Sequence, residues 1–142
     1  MKNIQRNLLI LSSLLVMALP AYADDYYCSY SARISDADKS NSKGALIAKN
    51  YSNNTVAAVL RQDRANYYVY GKASREDEGD CVFNDKEARA KMQSFLASGS
   101  IPQYARRIII DNNPLIEVDI YSKHIEVRII EEDEGEKTSS IR

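Results

Sequence analysis

Five glycines and one histidine are all that these 142 residues hold of two residue types on which much enzyme chemistry rests. So few glycines leave little room for a phosphate-cradling loop. No G-x-S-x-G, no glycine-rich nucleotide motif and no H-E-x-x-H occurs. A lone imidazole builds no zinc site without further strong ligands. Basic excess is missing as well: the formal net charge is −1, which does not suit a phosphate backbone. Nucleic acid is therefore not an expected partner. Beyond residue 23 no apolar stretch nears the ~20 residues that a membrane-spanning helix needs. The mature chain is expected to carry no span. Cysteine is almost absent, with only Cys28 and Cys81 present.

The one long hydrophobic run stands at the start. Lys2 and Arg6 precede an apolar stretch from Leu8 to Leu19, interrupted by Ser12 and Ser13. Pro20 then introduces Ala21-Tyr22-Ala23, the small-x-small pattern that a signal peptidase cuts. Residues 1–23 are expected to be a signal peptide, cleaved after Ala23, which makes the product periplasmic or secreted. Cys28 follows Asp25-Tyr26-Tyr27, the wrong context for lipid attachment. In an oxidising compartment two lone cysteines pair most simply with each other, so a Cys28–Cys81 disulfide is expected. The competing reading, a reactive thiol, needs a nearby base, and His124 lies far along the chain.

Residues 24–130 fit one small α+β domain: an N-terminal extended arm, about three helices and a C-terminal antiparallel β-hairpin. Cys28, Tyr30, Ala32 and Ile34 alternate in the arm. The segment Asp36 to Gly44 is turn-forming, and Ala45 to Ala48 is expected to make a helical turn. A first helix is expected from a cap at Asn53 or Asn54 to a stop at Gly71. Its aromatic, β-branched end, Tyr67 to Tyr70, leaves room for an earlier exit. A second runs from a cap at Asn84 or Asp85 to Gly99, with Ala88, Met92, Phe95 and Leu96 as its apolar stripe. A third starts at Ser100 with Pro102 in its first turn and ends before Pro114. Leu115 to Tyr121 and Ile125 to Ile129 alternate as hairpin strands around Ser122-Lys123-His124. Residues 131–142, rich in acids, read as a disordered tail.

The densest polar cluster belongs to the first helix: Arg61, Gln62, Asp63, Arg64, Asn66, Tyr67 and Tyr68. Guanidinium, amide and phenol groups on one rigid element suit recognition, and Arg and Tyr are frequent in interface hot spots. The candidate binding residues are accordingly Arg61, Asp63, Arg64, Asn66, Tyr67 and Tyr68. The same residues also read as a solvated face in which Asp63 pairs with an arginine. Asp36-x-Asp38-x-Ser40 has the opening of a calcium loop, but Asn41 and Ile47 stand where glycine and glutamate belong. No metal and no cofactor are expected. His124 falls at a hairpin tip, where a buried carboxylate rarely orients an imidazole. Asn50-Tyr51-Ser52 and Asn53-Asn54-Thr55 satisfy the glycosylation sequon, but Asn53 and Asn54 are read instead as the cap of the first helix.

These readings leave two classes of function. One is a small binding or inhibitor-type protein that acts by protein–protein recognition on another envelope or secreted protein, with the acidic tail steering a basic partner. The alternative is a small cell-envelope glycan hydrolase built on two of Asp63, Glu87, Glu117, Asp119 and Glu126. That chemistry requires carboxyl groups facing across a cleft at about 5–9.5 Å.

Overall fold

The computed structural model describes residues 24–132. The expected signal peptide and residues 133–142 of the expected tail lie outside them. Strand β1 (Tyr26–Arg33) is followed by helix α1 (Asn53–Ala65), which widens into a π-helical turn (Asn66–Tyr70). Helices α2 (Lys86–Ser98) and α3 (Gln103–Asp111) precede strands β2 (Leu115–Tyr121) and β3 (Ile125–Glu131). The protein is thus α+β. Its hairpin is enlarged by β1, which pairs antiparallel with β2 to give the order β1-β2-β3. Among the described residues no helix is long and apolar enough to cross a membrane.

Alternation explains the sheet. Tyr30 and Ala32 of β1 and Ile116, Val118 and Ile120 of β2 turn to one face and are buried. They share a core with Val56, Val59 and Leu60 of α1, Met92 and Leu96 of α2, and Ala105 and Ile109 of α3. Ile125, Val127 and Ile129 of β3 face the same way but are only half-buried. The disulfide Cys28–Cys81 is formed, with Cα atoms 6.3 Å apart, and staples β1 to the loop before α2.

The helix ends obey local chemistry, though not always at the expected residue. Ser52, not Asn53 or Asn54, caps α1, because its backbone is extended and its hydroxyl accepts from Thr55 N–H at 3.2 Å. Asn50 prepares that cap by accepting from Ser52 N–H and the Thr55 hydroxyl. Asn53 Nδ2 donates to the Gly99 carbonyl, so both sequon asparagines carry structural bonds. Asp85 caps α2 as expected. For α3 the expected Ser100 cap is overruled. Ile101 is buried and precedes a proline, and the residue before a proline avoids helical backbone, so Pro102 itself sits at the extended cap position. Gly71 ends the first helix in left-handed geometry, φ 61°, as only glycine does at little cost.

The expected helical turn at Ala45 to Ala48 is absent. Gly44, at φ 80°, closes a tight turn in which Asn41 accepts its N–H, and Ser40 bridges Leu46 instead. Four apolar residues are too few to offset the cost of a helix nucleus. At the other end Glu131, read as tail, belongs to β3, and its carboxylate accepts from Arg33.

Candidate functional site

The six residues singled out on the first helix divide between interior and surface. Arg64 has 0 % of its surface exposed. Its Nε donates to Asp63 Oδ2 at 2.8 Å, and its Nη1 donates to the Glu78 carbonyl at 2.8 Å and to Asp80 Oδ2 at 3.2 Å. The guanidinium lies 3.9 Å from the Tyr30 ring centre and 4.9 Å from that of Tyr67. Tyr68, edge-on to Tyr67, donates to Asp80 Oδ2 at 2.9 Å. Asn66 is buried beside this group and donates to Asp38 Oδ1 at 2.7 Å. Tyr67 and Tyr68 are half-buried. The widened turn after Ala65 coincides with the place where both tyrosines meet Arg64.

More carboxylates than cations gather around Arg64, and this decides the electrostatics. Asp63 is almost fully buried, and desolvation pushes its carboxyl up to about 7, with the charges of Asp38 and Asp77 adding to the rise and Arg64 opposing it. Burial likewise raises Asp77 and the Tyr30 phenol. Asp63 Oδ1, Arg64 Nη2 and the Tyr30 hydroxyl are buried without a partner. Asp63, Arg64 and Asn66 therefore do not stand on a surface flank as the helical spacing implied. They tie α1 to β1 and to the loop of residues 74–82.

Arg61 is different. It lines a cavity of about 380 Å³ between α1, the π-turn and α2. Lys86 and Arg89 of α2 line the same cavity, with Gln62 and Gln93 between them and Val69 and Tyr70 at its rim. Arg61 Nη1 donates to Gln93 at 2.8 Å, and Arg89 Nη1 donates to the Phe83 carbonyl at 3.0 Å. Among the described residues none of the three cations lies within ion-pair distance of a carboxylate. Arg33, Arg64, His124 and Arg128, by contrast, make salt bridges. Arg89 is only 6 % exposed, and its hydrogen bond to the Phe83 carbonyl offsets part of its desolvation without supplying a counter-charge. Val69 and Tyr70 are about half exposed. Lys86 and Arg89 were missed from sequence because attention fell on the apolar stripe of α2. Their signal was a second stripe, Lys86, Arg89 and Gln93, at spacings of three and four.

A second groove, about 500 Å³, runs between α2 and the hairpin, lined by Tyr27, Phe83, Met92, Phe95 and Tyr121, with Asp85 and Glu87 at its rim. Of the five acids weighed for glycan hydrolysis, Glu87 alone lines either of these two sites. Asp63 is interior, Glu117 and Asp119 share Arg128 on the outer sheet face, and Glu126 sits beside His124. His124 is exposed, stacks on Tyr121 and is held by Asp24, which raises its imidazole. Among the described residues no three His, Cys, Asp or Glu side chains form a metal-binding group. Asp38 instead accepts from the Ser35 backbone and hydroxyl. No family model, curated protein or solved structure matches the chain.

Proposed function

We propose that this is an extracytoplasmic binding protein that docks on another envelope or secreted protein through the α1–α2 face. The supporting observation is the cavity where Arg61, Lys86 and Arg89 converge without a carboxylate beneath an exposed Val69–Tyr70 rim. An acidic side chain from a partner would supply the missing counter-charge, and the apolar rim would supply contact area around it. Removing one partner of a charged, hydrogen-bonded pair shielded from water costs far more than removing a charge at a rim. The contact charge is thus positive and lies on the two helices, whereas the tail was expected to attract a basic partner.

Zero-length carbodiimide coupling tests this in cells that export the protein. It joins a lysine amine to a carboxylate only when the two touch. The expected product is an amide between Lys86 and an Asp or Glu of a second extracytoplasmic protein, mapped by mass spectrometry. The crosslink is expected to vanish in Arg61→Ala and to be out-competed by added salt. Crosslinks confined to other lysines, or a Lys86 crosslink indifferent to Arg61→Ala, would refute the assignment of this face.

A further inference from the structure

The two edges of the sheet are treated differently. The outer edge of β1 is occupied by the chain itself at Ser31 and Arg33: Glu78 N–H donates to the Ser31 carbonyl, Glu78 Oε2 accepts from Ser31 N–H, and Asp77 accepts from Arg33 N–H. The outer edge of β3 has no such cover among the described residues. Tyr121 N–H donates to the His124 carbonyl, which fixes the alternation of the ladder. With Asp119 opposite Glu126 and Val118 opposite Val127, the backbone groups of Glu126 and Arg128 point to β2. Those of Ile125, Val127 and Ile129 point outward. Between Ile125 and Ile129 the strand carries no proline, no lysine and no irregularity, and its two charges, Glu126 and Arg128, are of opposite sign.

We infer that β3 pairs antiparallel with β3 of a second copy about a two-fold axis at Val127. Sequence and charge select that register. Side chains of opposed residues share a face, so only two-residue shifts keep Ile125, Val127 and Ile129 on the core side. Centring the axis on Glu126 opposes Glu126 to itself, and centring it on Arg128 opposes two arginines. Centring it on Val127 sets Ile125 of one copy against Ile129 of the other, and Glu126 against Arg128 at both ends. Opposite charges in directly facing positions stabilise a ladder, and like charges weaken it. The half-buried faces of Ile125, Val127 and Ile129 then gain neighbours across the axis. The surface needs no further partner to be complementary, because it is complementary to itself.

Sedimentation equilibrium of the disulfide-bonded chain tests the pairing. The wild type is expected to shift from monomer to dimer as concentration approaches about 1 mM. Val127→Pro removes an N–H that the monomer's ladder does not use, so it is expected to stay folded and remain monomeric. Glu126→Arg and Arg128→Glu each place like charges across the axis and are expected to weaken self-association at least tenfold. An equimolar mixture of these two variants restores opposite charges at both ends and is expected to form the heterodimer. Thermal unfolding checks that each variant is folded. A wild type monomeric at about 1 mM, a dimer that survives Val127→Pro, or a mixture that fails to associate would each overturn the pairing. So would capture of the β3 edge by an unrelated peptide strand while the chain alone stays monomeric.

Discussion

Asp63 makes the stability of this protein fall as pH rises through neutrality. Its carboxyl is displaced from 3.8 to about 7 by burial among other acids. A folded-state value above the unfolded one means that the native protein holds the proton more tightly. The stabilisation is complete below about pH 4 and is lost as pH climbs through about 7. At about 1.4 kcal/mol per unit, the displacement corresponds to a ceiling of about 4 kcal/mol. Exposed groups contribute slopes of both signs: His124 is raised, whereas Asp24 and Glu76 are lowered by their hydrogen bonds to Ser122 and Arg33. A comparison with Asp63→Asn removes them from the measurement, because they are common to both proteins. Asparagine keeps the shape and an acceptor for Arg64 Nε but cannot ionise, and Asp80 remains as counter-charge to Arg64. Urea unfolding between pH 4.5 and 8 is expected to show the wild type losing stability relative to the variant, so that the variant is the more stable protein at pH 8. Parallel curves across that range would refute the claim that Asp63 binds a proton in the folded state.

The disulfide and the glycine stop give two simpler tests. Cys28→Ser opens a link across a sequence separation of 53 residues and is expected to cost about 4 kcal/mol in the chain-entropy account. An unchanged thermal midpoint for Cys28→Ser, or for reduced wild type, would show the bond to be idle. Gly71→Ala meets open space but must hold a left-handed backbone, so a loss of about 1 kcal/mol is expected by urea unfolding. A neutral result would mean that the end of the π-turn relaxes freely.

Much of the secondary structure was legible because it rests on short-range signals. The Asp85 cap, the Gly71 stop and the alternation of Leu115 to Tyr121 each act within a turn or a strand. The arm's alternation was visible too, but its pairing with β2 was not, since the two strands lie at opposite ends of the chain. The site was harder for the same reason. Arg64 reads as a surface charge until the loop of residues 74–82 returns over it with Glu78 and Asp80. Nothing in the spacing of α1 shows that return. The surplus of acids in ASREDEGD, more than its own arginine can neutralise, was the available hint. Arg61 was found because it shares a helix with Arg64, whereas Lys86 and Arg89 enter only through the packing of α2 on α1.

Among the described residues the chain covers the β1 margin at Ser31 and Arg33 and gives the β3 margin no such cover, and this difference bears on growth. A strand ladder with two free margins can recruit copy after copy into a fibre. Here Asp77 and Glu78 occupy the β1 side at Ser31 and Arg33, so among the described residues extension falls to the β3 side, and a pair built there carries those loops at both outer ends.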